Sequence, residues 1–418
     1  MESIAQLKQL LANQVEWLSH YGADSDGGVT RLLYTPAWLK AQQALAERMR
    51  EAGLDTYYDD AGNLYGRLEG TEHPEEVVLT GSHIDTVRSG GKYDGAAGIL
   101  AGLACLRRLY AQFGRPKRTL EIVSLCEEEG SRFPITFWGS GNMTGRWSMS
   151  RIPDVADAEG VSLGQAMADA GFGPGTHRPC RRYDLVSFIE LHIEQGMVLE
   201  RLELPIGIVQ GIVGQVRLTF EVCGETNHAG TTRMAWRKDA VAGTAEMTLA
   251  LEREARSAGD PYVATVGKMV VAPNVSNVIA GNVLFTVDLR HPDALSLEAF
   301  ARRIVERFYS IAAERSLQLS HRQWMHADPV PMNEELVHRL EQTCKSLQVS
   351  YHEIHSGAGH DAQLLSAVCP SAMLFVPSRA GISHSPDEYT DAQDLAVATR
   401  VLADTLYQLA YVGGQRQA

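Results

Sequence analysis

At 418 residues the chain is too long for one simple core and long enough for two or three domains. Its formal net charge is −13, and no lysine- or arginine-rich stripe interrupts that acidity, which argues against nucleic acid or an anionic membrane as the main partner. The six cysteines are scattered without a CxxC pair, so buried free thiols are expected rather than disulfides or a zinc–sulfur site.

Residues 1–18, MESIAQLKQLLANQVEWL, read as an amphipathic helix without the basic start and apolar core of a signal peptide. No apolar run approaches membrane-spanning length, and a cytoplasmic, reducing setting is expected. Helical pattern continues to about residue 52, broken by glycines at 22–28. Strands and helices then alternate. YGRL and VVLTGSHI are strand-like, 95–110 is a predicted helix with Asp94 as its N-cap, and TLEIVSL runs into the acidic turn 127–130. SFIELHI is a further strand.

Near Gly207 the pattern changes. Val216, Leu218, Phe220 and Val222 alternate with polar residues, a strand with one wet face. A helix over 238–257, strands over 262–271 and 278–289, a helix carrying Leu297, Phe300, Ile304, Phe308 and Ile311, and a strand over 317–324 complete a β-α-β-β-α-β unit. After Pro329 the earlier pattern resumes, with a helix over 334–347, the strand AMLFVP and a helix over 391–411. The predicted fold is therefore α/β: a mainly parallel sheet built from 1–211 and 327–418, with a ferredoxin-like α+β domain inserted at 212–326. Two connections to the insertion permit hinge closure.

Four apolar runs end in histidine or glutamate: His83 in GSHIDT, Glu127-Glu128-Glu129, His192 in ELHIEQG and His384 in GISHSP. Singly, a histidine of this sort is more often a hydrogen-bonded loop residue than a ligand, and the acidic run is as well explained by a solvated turn. In an open α/β sheet, however, the carboxyl ends of strands converge on one crevice, and Asp94 opens the next helix there. His83, Asp94, Glu129, His192 and His384 offer three imidazoles and two carboxylates, a set suited to zinc, manganese or cobalt. Five ligands exceed the needs of one tetrahedral ion and match two ions about 3.5–4 Å apart sharing a carboxylate. Glu128 is then a natural general base. Arg290, closing the strand VLFTVDLR, could grip a substrate carboxylate with two parallel hydrogen bonds, although a surface arginine ending a strand is the plainer reading.

The motifs GSHIDTV, GGKYDG, EEEGSRF, ELHIEQG, HAGTT, HSGAGHDA and GISHSP resemble those of the dimetal amidohydrolases that cleave N-carbamoyl groups. That group comprises allantoate amidohydrolases, N-carbamoyl-L-amino acid hydrolases and β-alanine synthase, within the aminoacylase/carboxypeptidase-like metallopeptidase superfamily. The resemblance implies two divalent metal ions per subunit, Mn2+ or Zn2+. It puts His83 and His384 on different ions, Asp94 between them, Glu129 and His192 completing the set, and Glu128 as base. Peptidase relatives usually carry a carboxylate at the position of His192, so its imidazole favours the carbamoyl-cleaving branch. FWGS at 137–140, IVGQ at 212–215, TRLLYTP and GAGHDAQ resemble the allantoate amidohydrolases in particular. That implies hydrolysis of the ureido C–N bond of allantoate to ureidoglycine, ammonia and CO2 in purine breakdown. The alternative is an N-carbamoyl-L-amino acid hydrolase, or a β-ureidopropionase-like enzyme, sharing every catalytic residue.

The resemblance further implies a carboxylate pocket of His228, Asn277 and Arg290, with Gln195, Gln215 and Gly359 near substrate and His228 also steadying the oxyanion. In the family the inserted domain is a lid and dimerisation domain whose His228, Asn277 and Arg290 equivalents reach the partner subunit's site, so a homodimer is implied. Arg233 departs from the proline that relatives often carry in this motif. A dipeptidase or deacylase is disfavoured by His192, and a metal-binding protein without turnover by Glu128 beside five ligands.

Overall fold

The computed structural model describes residues 3–412, so Met1 and Glu2, where the predicted N-terminal helix begins, lie outside the described residues. The chain divides into two compact units, one of Met1–Gln210 with Met332–Ala418 and the other of Gly211–Pro331. The second unit is longer than the predicted 212–326, because its last long strand runs through Ala327 and is followed by the short strand Val330–Pro331. In chain order the long strands are β1 (Asp55–Tyr58), β2 (Leu64–Leu68), β3 (His73–His83), β4 (Arg118–Leu125), β5 (Leu185–Ile193), β6 (Gly207–Ile212), β7 (Gly214–Cys223), β8 (Val263–Ala272), β9 (Asn282–His291), β10 (Gln318–Ala327), β11 (His352–Ser356) and β12 (Ser371–Val376).

The larger unit carries the sheet β1-β2-β4-β3-β5-β12-β6, with β11 against β6. Its centre, β4-β3-β5-β12, is parallel, as apolar strands buried on both faces favour. The sheet as a whole is mixed rather than mainly parallel. The hairpin β1–β2 joins β4 antiparallel, and β6 joins β12 antiparallel. Helices Ala96–Phe113 and Ala392–Tyr407 pack on each other and on the central strands. The N-terminal helix Ile4–Ser19 lies on both, started by a capping box between Ser3 and Gln6. Among the described residues no helix is long and apolar enough to cross a membrane.

The smaller unit orders its strands β10-β7-β9-β8, every neighbouring pair antiparallel. Val216, Leu218, Phe220 and Val222 of β7 and Val283, Phe285, Val287 and Leu289 of β9 turn one face inward. Helices Ala240–Ala258 and Ala294–Glu314 cover that face, the latter burying Leu297, Phe300, Ile304, Phe308 and Ile311. The predicted strand over 278–289 is two pieces, Val278–Ile279 and β9, because Ala280 and Gly281 interrupt the extended run.

Candidate metal centre

Four neighbouring parallel strands deliver their carboxyl ends to one edge. The Glu127–Glu129 turn follows β4, His83 ends β3, His192 is the penultimate residue of β5, and the loop after β12 carries His384. Asp94 arrives from the loop after β3, but it does not cap the helix Ala96–Phe113. Gly95 occupies that position, with φ 63°. A Cβ at Gly95 would stand 2.4 Å from the His83 carbonyl oxygen and 2.6 Å from its ring, so only glycine fits. The correction matters, because the Asp94 carboxylate is turned to the histidines instead. Asp94 Oδ1 lies 3.4 Å from His83 Nε2 and 3.1 Å from His192 Nε2, while Oδ2 lies 3.3 Å from His384 Nε2. His384 Nε2 is also 3.3 Å from Glu129 Oε1. Two triads result, His83–Asp94–His192 and Asp94–Glu129–His384, and they share Asp94. Glu128 groups with His83 and Glu129.

The hydrogen bonds reveal what the imidazoles have to offer. The Nδ1–H of His83 donates to the Asp85 carbonyl at 3.1 Å, and that of His192 to the Ile193 carbonyl at 2.9 Å. Neutral rings so engaged present only lone pairs at Nε2. Those two Nε2 atoms are 3.5 Å apart and both face Asp94 Oδ1; the Gly95 N–H reaches His192 Nε2 at 3.2 Å, but no hydrogen lies between either ring and the carboxylate. Such a convergence fits a cation with nitrogen and oxygen ligands. Without a cation, protonation is the other relief. Asp85 and Asp94 raise the His83 pKa against burial, and Asp94 does the same for His192. Hydrogen bonds to Asp94 and Glu129 push His384 up to about 10.

The surrounding carboxyls are crowded. Burial raises Glu128 well above the usual range, with His83 opposing and Glu129, Asp361 and Asp85 adding. Burial also raises Glu127 and Glu190, and pushes Asp361 up to about 8. A second cluster, Glu190–His192–His360, is already satisfied from the protein. Ser82 Oγ and Ala362 N–H donate to Glu190 at 2.7 and 3.0 Å, and His360 Nε2 is 2.9 Å from Ser356 Oγ.

The other expected residues fall into three places. Gln195 joins the centre, its amide donating to Asp94 Oδ2 at 2.9 Å. Gly359 is in the same unit, where a Cβ would stand 3.2 Å from the Phe137 ring and 3.2 Å from the Gln363 amide oxygen. Gln215, His228, Asn277 and Arg290 belong to the smaller unit. There the strand pair of Asn227–His228 with Val278–Ile279 brings His228 next to Asn277, whose carbonyl accepts from Ala229 N–H at 3.0 Å. Gln215 and Arg290 pair directly across β7 and β9, and both donate to Asp288, at 2.6 and 2.8 Å. Arg217 donates to the same carboxylate at 2.8 Å.

Sequence reasoning missed several partners. Asp85, two residues after His83 in GSHIDT, accepts the backbone N–H groups of Glu128 and Glu129 with its two oxygens at 3.0 and 3.1 Å and so sets that turn. Glu190 was visible as a carboxylate inside the apolar run SFIELHI. Asp288, Ser383 and Glu388 gave no signal, the first being a polar residue on the outer face of β9 and the other two lying in a loop.

The comparisons bear on the whole chain. The family model for Peptidase family M20/M25/M40 matches residues 79–408. An allantoate amidohydrolase of Bacillus subtilis (strain 168) is 48% identical over 97% of this chain and 98% of its own. An allantoate amidohydrolase of Escherichia coli (strain K12) is 46% identical over 98% and 99%. The crystal structure of an amidase of the hydantoinase/carbamoylase family from Burkholderia multivorans is similar with a TM-score of 0.91 and 32% identity, covering 96% of this chain and 97% of that one. The shared-carboxylate centre thus sits on a chain that belongs to peptidase family M20/M25/M40.

Proposed function

We propose that this protein is a dimetal amidohydrolase that cleaves the ureido C–N bond of allantoate, giving ureidoglycine, ammonia and CO2. The observation that carries the chemistry is Asp94 standing between two ligand triads that contain three imidazoles and no thiolate. The choice of allantoate rests on similarity to the Bacillus and Escherichia enzymes across almost the entire chain. His83 and His192 would hold one divalent ion, Glu129 and His384 the other, and Asp94 both. Manganese or zinc suits this donor set. When bound, such a pair supplies positive charge that polarises the ureido carbonyl and acidifies water.

The chain's own residues do the rest. Glu128 takes the proton of the attacking water and returns it to the leaving nitrogen. Asp85 keeps that base in place through the turn's backbone N–H groups. Arg290, oriented by Asp288, binds the substrate carboxylate with His228 and Asn277, and His228 donates to the developing oxyanion. In this reading the smaller unit is a lid whose His228, Asn277 and Arg290 serve the partner subunit of a homodimer. The strand β8 offers an edge for such pairing, with Val263, Met269 and Val270 exposed on it. A cytoplasmic setting accords with six free thiols.

The deciding assay is ammonia release by chelated protein re-supplied with manganese or zinc, on allantoate and on N-carbamoyl-L-methionine. Preference for allantoate, lost on chelation and restored by metal, is the expected result. A preference for the carbamoyl amino acid would install the second reading, which similarity to the hydantoinase/carbamoylase amidase favours. Activity unaffected by chelation would remove the metal chemistry. Mixing Glu128→Gln with Arg290→Ala should recover activity if the lid serves the partner's site.

A further inference from the structure

Glu388 is 3% exposed and lies four residues beyond His384, in the loop after β12. Its carboxylate does not reach the imidazoles. One oxygen, Oε1, accepts the backbone N–H groups of Tyr93 and Asp94 at 2.8 and 3.1 Å. The other, Oε2, is 3.1 Å from Ser383 Oγ, whose hydroxyl also lies 2.9 Å from Asp94 Oδ2. Two loops far apart in sequence are thereby joined: GGKYDG, which carries Asp94, and GISHSP, which carries His384. The approach is close enough that a Cβ on Gly91 would stand 2.1 Å from the Glu388 carboxylate, so the first loop needs glycine at the crossing.

We infer that Glu388 is a positioning residue of the metal centre. It clamps the backbone of Asp94 to the loop of His384 and thereby sets the spacing of the Asp94–Glu129–His384 triad. The inference rests on the metal-pair reading above and concerns chiefly the ion of Glu129 and His384, because the clamp ties the shared Asp94 to the His384 loop. A buried carboxylate that merely stabilised the fold would act on neither ion selectively. A clamp acts on the ion whose ligands it spaces. Groups that orient metal ligands typically change affinity tenfold to a hundredfold when removed. Ala is the informative replacement, because it removes both contacts, whereas a Gln amide still accepts from Tyr93 and Asp94 and donates to Ser383 Oγ.

The test uses the full chain stripped of metal and titrated with Mn2+, free manganese being read by electron paramagnetic resonance. Wild type should bind two equivalents. In Glu388→Ala, the equivalent that His384→Ala also loses should bind tenfold to a hundredfold more weakly, with the other changed less. Adding Glu388→Ala to His384→Ala should then cost nothing further. Glu388→Gln, which keeps both contacts, should stay near wild type, and Glu388→Asp, one methylene shorter, should fall between wild type and Ala. The inference is overturned if Glu388→Ala binds both equivalents as wild type does. It is also overturned if both equivalents weaken together with the melting temperature of the metal-free chain. Wild type binding fewer than two equivalents would instead refute the metal pair, and this inference with it.

Discussion

Replacing Glu128 by Gln isolates the proton-transfer step from the architecture around it. The fold holds this residue by its backbone. Its N–H donates to Asp85 Oδ1 at 3.0 Å, and its carbonyl accepts from Phe137 N–H at 3.1 Å. Gln preserves the shape and both backbone bonds, so the turn that presents Glu129 should stay in place. What disappears is one basic oxygen and one negative charge, within 4.8 Å of ligand atoms on His83 and Glu129. The charge helps to attract cations, so the assay belongs at saturating manganese with bound metal measured alongside. A positioned general base contributes about 10²–10⁴-fold, equivalent to about 3–5 kcal/mol of barrier. Glu128→Gln should therefore bind two manganese ions, melt like wild type, and release ammonia from allantoate at least about a hundredfold more slowly. Turnover within about tenfold of wild type, with both ions bound, would refute the assignment of Glu128 as base.

Arg290→Ala should raise KM for allantoate by about tenfold or more with a smaller change in kcat, as steady-state kinetics would reveal, because the contact it loses lies away from the bond that breaks. Asp288 is held below the usual carboxylate range; burial opposes this, and the bonds from Arg290 and Arg217 outweigh it. Its ion pairs therefore stabilise the smaller unit above the unfolded pKa of about 3.9 and are lost as pH falls through the lower folded value. Asp288→Asn should remove that part of the acid limb, seen as a flatter dependence of chemical unfolding on pH below about 4. Gly95→Ala must place a methyl group against the His83 carbonyl and ring at φ 63°. A lower melting temperature and loss of bound manganese should both follow, measured by calorimetry and metal analysis.

The strands were legible because their apolar runs are short and sharply ended, and the same endings marked His83, Glu129, His192 and His384. Alternation along 216–222 revealed the smaller unit's sheet for a similar reason. Asp94 was misread as a helix cap because an aspartate before a helix ordinarily is one. The left-handed turn at Gly95 and the contact of that residue with His83 are tertiary facts that no local pattern encodes. Glu388 and Asp288 were hidden for the same cause. The backbone partners of Glu388, Tyr93 and Asp94, stand almost three hundred residues away, and Asp288 sits on the open face of a strand where an acid is unremarkable. Of the antiparallel strands flanking the parallel centre, β2 was legible as YGRL but not its direction, which its pairing with β4 sets, while β1 and β6 are short and escaped notice.

A carboxylate divided between two triads makes them a single electrostatic object. Whichever cation arrives first would fix the tilt of Asp94 and remove its freedom to serve the neighbouring position differently, so the second arrival would find its ligand already oriented. Mutual repulsion of the cations opposes that gain. The steepness of activity against added manganese would report the balance, and one mutation at Asp94 would empty both positions together.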